Sequence, residues 1–194
     1  MASNKEISKK YQLLDEIEHV LKRPGMYIGS TKPHTSQEWI LSDGIFEKEE
    51  ITYNPGFLKL FDEIISNSVD EHKRSGKINT IKVTVDATTV SVWDNGGIPV
   101  VQHPEHKVWI PELIVANLRA GSNFDDTEGR TVAGTNGVGA SLVNIFSDKF
   151  VVDTSDGKNR FYQTFTKHMS ARTTPKITRS SQGFTEITYT PDLS

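Results

Sequence analysis

Apolar positions along this 194-residue chain change their period several times. In YQLLDEIEHVLKR, Leu13, Leu14, Ile17, Val20 and Leu21 fall at helical spacing, and Pro24 and Gly25 stop the run. The same spacing predicts a longer helix from about Asn54 to Arg74, with Pro55 well placed in its first turn. Pro111 opens a third helix in PELIVANLRA, ended by Gly121, and GASLVNIFS reads as a fourth, apolar one. Between the second and third, TIKVTVD and TVSVWD alternate, so that Ile81, Val83 and Val85, then Val90 and Val92, each share a face. They read as neighbouring strands joined by a short turn. KFVVDT, RFYQTFT and FTEITYT alternate again and add further strands. Residues 30–55 show no clear period, with Trp39, Ile40 and Leu41 as the only compact apolar cluster.

Strands outnumber helices and follow one another closely. The expected fold is an α/β (α+β) two-layer sandwich, with a mixed, largely antiparallel sheet and helices on one face. A hydrophobic content of 35% is enough for one real core. The net charge of −3 gives no global attraction to a nucleic-acid backbone. With no cysteine there is no disulfide and no thiolate metal site. No stretch has the apolar length of a leader or a membrane span, so the expectation is a cytoplasmic protein without a membrane partner.

Three stretches could carry chemistry. In FDEIISNSVDE, Glu63, Asn67, Asp70 and Arg74 fall within one narrow arc of the long helix, while Leu58, Phe61, Ile65 and Val69, with Ile64 at their flank, are expected to form its buried stripe. Such a polar arc is often only a solvated face, but asparagine is a poor residue in mid-helix unless its amide is used. In VSVWDNGGIPV a strand ends at Asp94 and glycines break the chain directly after it. An aspartate there can accept from an amino group of a planar ring, and glycine permits close approach of backbone to a ligand; an ordinary Asp-Asn-Gly turn is the alternative. In GTNGVG, Gly134, Gly137 and Gly139 leave backbone N–H groups unshielded ahead of a helix, which suits an anion. The loop lacks the Lys-Ser/Thr of a P-loop and the spacing of a dinucleotide fingerprint; a flexible surface loop is the alternative.

Taken in order, Glu-x-x-x-Asn on a helix, a strand ending in Asp before Gly-Gly-Ile-Pro, and Gly-x-x-Gly-x-Gly before a helix resemble the GHKL ATPases. LKRPGMYIGS, IPELIVANLRAGSNFDD and GASLVNIFS resemble the type II DNA topoisomerase branch, nearer its eukaryotic and T-even bacteriophage members than gyrase, with the T-even large subunit as the expected nearest kin. The likeness runs from Tyr11 to Asp192. It implies an N-terminal arm and strap over residues 1–28 and an ATP-binding domain over residues 29–194.

The resemblance implies ATP and Mg²⁺ as ligands. Glu63 is then the group that polarises the attacking water, Asn67 the Mg²⁺ ligand, and Asp70 a nucleotide contact through water. Asp94 matches the acceptor for the adenine amino group and Thr185 a threonine at the base edge, with Ile98 and Pro99 as apolar walls. Ser122 and Asn123 resemble ribose and phosphate contacts. Gly134, Thr135, Asn136, Gly137, Val138 and Gly139 resemble a segment that wraps the phosphates. Tyr11 matches an arm residue that reaches the partner's nucleotide in family homodimers. DNA and other topoisomerase domains or subunits are implied as partners of the full enzyme. A lysine from a following domain completes the γ-phosphate site in the family, so slow hydrolysis by these residues alone is expected. Two departures stand out: DNGGIP is one residue shorter than the family's Asp-x-Gly-x-Gly-Ile-Pro, and Ser141 replaces a lysine of eukaryotic relatives. A non-catalytic GHKL module that switches on binding nucleotide or a partner is the rival reading.

Overall fold

The computed structural model describes residues 11, 13–118 and 138–192. Helix α1 spans Glu16–Lys22 and starts later than its apolar pattern. The reason is local: the Asp15 side chain accepts from Glu18 N–H while the Glu18 carboxylate accepts from Asp15 N–H, a capping box that fixes the start. Leu13 lies outside it and is exposed. Strands β1 (His34–Ser42) and β2 (Ile45–Tyr53) then form a separate two-stranded sheet. Its turn, Asp43–Gly44, has positive φ at both positions, 49° and 83°. That is the Asp-Gly hairpin signal, present in a region whose side-chain pattern predicted nothing.

Helix α2 (Pro55–Ser75) matches the expected length. Asn54 caps it by accepting from Phe57 N–H at 3.1 Å, and Gly76 at φ 67° ends it. The buried side is not the expected one. Leu60, Ile64 and Ser68 face inward, whereas Leu58 and Val69 are 46% and 37% exposed. The apolar arc of this helix is wider than the surface available to cover it, and tertiary packing selects one flank. That flank borders the Glu63–Asn67–Asp70 arc, so the polar groups lie at the rim of the core.

The main sheet has the order β3-β4-β9-β5-β6-β7, with β8 also paired to β6. Its strands are β3 (Ile81–Val85), β4 (Val90–Asp94), β5 (Ser147–Asp156), β6 (Asn159–Thr166), β7 (Ala171–Arg172), β8 (Lys176–Arg179) and β9 (Gly183–Pro191). Every described pairing is antiparallel, so the expected mixed character is not seen among these strands. Val90, Val92, Ile187, Tyr189, Phe150, Val152, Phe161 and Phe165 supply the inner face and pack with Leu60 and Ile64 of α2. Helices α3 (Ile110–Ala116) and α4 (Gly139–Ile145) contribute Val115, Ala140 and Val143 to the same cluster. Val20 of α1 is fully buried against Leu142 and Ile145 of α4. Helix α4 thus touches α1, α2 and α3, which explains its nearly all-apolar sequence. Its first residue is set by that packing, and this matters for the site.

Candidate functional site

Asp94 is only 4% exposed. It accepts from the Ser68 hydroxyl at 2.7 Å and from Gly96 N–H at 2.9 Å. Burial holds its pKa above the usual carboxylate value; the Ser68 and Gly96 hydrogen bonds oppose that shift, and the nearby Glu71 charge adds to it. An ionised carboxylate kept here is a cost to folding, which marks the position as one retained for an acceptor.

The short turn after Asp94 closes by docking on the end of the β5–β6 hairpin. Asn95 Oδ1 accepts from Asn79 and Thr80 N–H. Ile98 N–H donates to Thr154 Oγ1 at 3.0 Å, and Val100 N–H to Asp156 Oδ2 at 3.1 Å. Gly97 (φ 148°) lies so close to β5 that an added Cβ would sit 2.2 Å from Ser155 O. Gly183 meets Gly96 in the same way, with a Cβ placed 2.5 Å from its carbonyl oxygen. The missing residue in DNGGIP therefore does not loosen Asp94: the segment is pinned on both sides. Ile98 is half-buried and Pro99 exposed along this segment.

Thr185 lies directly opposite Asp94 in the β4–β9 register, and Thr154 directly opposite Thr185 in β5–β9. Thr185 Oγ1 and Thr154 Oγ1 are 2.9 Å apart. Three polar side chains from three strands thus form one row at the end of the inner sheet face.

Glu63 stands on the adjoining rim of α2, 20% exposed, with Lys59 Nζ 2.5 Å from its carboxylate. Such an i,i+4 pair adds only a few tenths of a kcal/mol, about 0.3–0.5. Its use is positional. On the other side, a Cβ at Gly139 would fall 2.1 Å from Glu63 Oε2, so the first residue of α4 rests on the carboxylate. Val138 caps α4 and accepts from Leu142 N–H and Ser141 Oγ through its carbonyl. Ser141 is fully buried, so its hydroxyl does not take the place of a surface lysine. Asn67, one turn beyond Glu63, is exposed and its amide makes no hydrogen bond among the described residues. Asp70, a further turn on, is 8% exposed. Tyr11 is exposed at the start of the described chain. Ser122, Asn123, Gly134, Thr135, Asn136 and Gly137 lie outside the described residues.

The structure therefore brings Glu63, Gly139 and Val138 together at one point and Asp94 and Thr185 together at another, both on the inner side of the sheet beside α2. Ser68, Thr154 and Gly183 were not singled out in the sequence; Gly97 was, as one of the two glycines that break the chain after Asp94. Elsewhere among the described residues, Asp148, His168 and Asp192 place ligand atoms within 4.8 Å of one another. Within this group His168 Nε2 lies 3.9 Å from Asp192 Oδ2, and His168 Nδ1 lies 3.0 Å from Ile145 O.

A carboxylate at the rim of a helix, with the first residue of a glycine-led helix resting on it, and a buried aspartate at a strand end beside the same helix make a two-layer arrangement suited to a nucleotide. Residues 53–193 match the family of histidine kinase-, DNA gyrase B- and HSP90-like ATPases, and the chain belongs to that family. Within it, the chain is homologous to the ATPase region of type II DNA topoisomerases. It is 41% identical to DNA topoisomerase 2 of Pisum sativum over 98% of its own length and 14% of the plant protein's. Against DNA topoisomerase 2 top-2 of Caenorhabditis elegans the identity is 44%, over 95% of this chain and 13% of the nematode protein. The ATPase region of Saccharomyces cerevisiae topoisomerase II superposes with a TM-score of 0.93 at 36% identity, covering 96% of this chain and 52% of the yeast one. The chain thus spans about one seventh of the curated relatives it matches.

Proposed function

We propose that this domain binds ATP between α2 and the inner sheet face, hydrolyses it with Glu63 as general base, and serves a type II DNA topoisomerase that uses the cycle to close a dimer gate for DNA strand passage. The observation that carries the reading is the contact between Glu63 and Gly139. It joins a half-shielded carboxylate to the helix that follows the glycine loop, where the terminal phosphate of a nucleotide belongs. Water attacks the γ-phosphorus, Glu63 accepts the proton from that water, and the bond to the bridging oxygen breaks to release ADP. Asp94 accepts from the adenine amino group, Thr185 contacts the base edge, and Ile98 and Pro99 flank the ring. Asp70 supports the polar arc of α2 near the phosphates.

The donor set also fits Mg²⁺. Asn67 offers an exposed, unengaged amide oxygen one turn from Glu63, and a hard cation bound mainly by phosphates and water needs few protein ligands. Bound there, the ion neutralises phosphate charge. Gly134, Thr135, Asn136 and Gly137 would wrap the phosphates with Val138 and Gly139, and Ser122 and Asn123 would contact ribose and phosphate.

The domain is tested by calorimetric titration with a non-hydrolysable ATP analogue, with and without Mg²⁺. Mg²⁺-dependent binding is expected, and Asn67→Ala should lower affinity at least about tenfold only when Mg²⁺ is present, by loss of one charge-assisted contact of about 1.5–3 kcal/mol. An unchanged affinity removes Asn67 from the metal shell. Gly139→Ala checks the contact that carries the reading. The clash is with the end of a flexible side chain, so the fold should persist with its Tm nearly unchanged. The displaced carboxylate should lower phosphate release by about tenfold to a hundredfold.

In the parent enzyme, residues 1–28 would act as an arm and strap, with Tyr11 reaching a second copy across a homodimer. DNA and further topoisomerase domains or subunits would complete the machine in the cytoplasm. We read the parent as the T-even phage type of large subunit, in a host cell. This reading rests on LKRPGMYIGS and IPELIVANLRAGSNFDD, which resemble the eukaryotic and T-even members more than gyrase. Co-purification of the parent chain with separately encoded cleavage subunits tests that narrower placement; a single chain carrying all domains would overturn it.

A further inference from the structure

Thr154 is fully buried in β5, yet it is the most connected hydroxyl beside the site. Its Oγ1 lies 3.0 Å from Ile98 N, 2.9 Å from Phe184 O and 2.9 Å from Thr185 Oγ1. A threonine hydroxyl has one proton and two lone pairs, and three neighbours match that capacity in one way. Ile98 N–H can only donate, so it takes one lone pair. The Phe184 carbonyl can only accept, so it receives the Thr154 proton. Thr185 must then donate its own proton to the second lone pair of Thr154. What Thr185 shows to its half-buried open side is an oxygen that accepts and does not donate. Asp94, the next residue in the row, is likewise an acceptor, with Ser68 and Gly96 N–H fixing its two oxygens.

We propose that Thr154 is a positioning residue for base selection: it sets the Thr185 hydroxyl as an acceptor and ties the Ile98 segment to the same row, so that the row reads a donor-bearing ring edge. The inference rests on the ATP-site reading above and adds a residue that never touches the ligand. Removing the Thr154 hydroxyl frees the Thr185 proton and leaves Ile98 N–H and Phe184 O without this partner, with little change in side-chain volume.

The experiment compares binding of ATP and of purine riboside triphosphate, which lacks the 6-amino group, by calorimetry with Mg²⁺. The wild-type chain is expected to prefer ATP at least about tenfold, the effect of one hydrogen bond to a charged group. Thr154→Val should reduce that preference at least threefold, and Thr154→Ser should restore it. Thr185→Val, at a half-buried position that tolerates the isostere, should reduce the preference by a similar factor, and adding Thr154→Val to it should change the preference no further. An undiminished preference in either valine variant overturns the proposal, as does equal weakening of both nucleotides by Thr154→Val, which would be a purely structural effect. If Thr154→Val does not fold, an undiminished preference in Thr185→Val, or a preference lost in Thr154→Ser, still overturns the proposal. A wild-type chain that binds neither nucleotide overturns the ATP-site reading itself, and that outcome is visible before any variant is made.

Discussion

Glu63→Gln is expected to keep the affinity for an ATP analogue within about threefold and to lower phosphate release by at least about a hundredfold, the usual contribution of a positioned general base. The substitution is chosen for its shape. Glutamine preserves the length that rests against Gly139 and therefore the packing of α4 on α2. It removes the charge that Lys59 faces at 2.5 Å, at the cost of a surface pair that contributes little to stability. Binding and fold should thus survive while the proton acceptor is lost. Single-turnover phosphate release on the same preparation used for calorimetry makes the comparison clean. Equal turnover in the two chains would favour the rival reading, a module that binds nucleotide as a switch without hydrolysing it. The Lys59 contact predicts a smaller effect for Lys59 variants than for Glu63, since the lysine is half exposed and only orients.

Gly97→Ala is expected to be the most damaging small substitution near the base row. Two costs add. The residue holds φ 148°, which an L side chain rarely adopts, and its Cβ would sit 2.2 Å from a backbone oxygen of Ser155. Strain of about 1–3 kcal/mol from the dihedral and about 1–3 kcal/mol from overpacking gives roughly 3 kcal/mol or more. For a domain of this size, that corresponds to a fall in Tm of about 6–12 °C. Since β5 backbone cannot yield as a side-chain tip can, relief must come from the 94–98 turn, and nucleotide affinity should fall with stability. Gly76→Ala is the control. That glycine also has positive φ, at 67°, but nothing lies within 4 Å of its added Cβ. It should lose only the dihedral strain, about 1 kcal/mol. Thermal melts of the two variants side by side separate strain from collision. If Gly97→Ala melts no lower than Gly76→Ala, the turn is not pinned on β5 as described.

Much of the site could be read before the fold because its residues fall on regular elements. Glu63, Asn67 and Asp70 recur along one helix, so their common arc follows from the 3.6-residue period alone. Asp94 ends an alternating strand and is followed by two glycines, a local signature of a turn. The β1–β2 hairpin was missed for a physical reason. Most of its residues are exposed, and the half-buried positions that alternate along β1 are Ser36, Glu38 and Ile40, so the alternation in burial is carried mostly by polar side chains and only the Asp43–Gly44 turn carries the signal. The buried flank of α2 was misjudged because the apolar arc admits two choices, and the helix alone has no preference between Leu58–Val69 and Leu60–Ile64.

What the sequence by itself determined is most of the elements outside residues 30–55, their order and the chemical kind of each polar position. Those depend on short-range geometry: the helical and strand periods, the caps at Asp15 and Asn54, the glycines at turns. Which groups meet was decided by tertiary structure. Glu63 and Gly139 are 76 positions apart, and Asp94, Thr185 and Thr154 come from three strands whose order is not that of the chain. Their contact exists because α4 is buried against three other helices and because β9 pairs between β4 and β5. Long-range packing and register are cooperative properties of the whole core, so no local pattern encodes them.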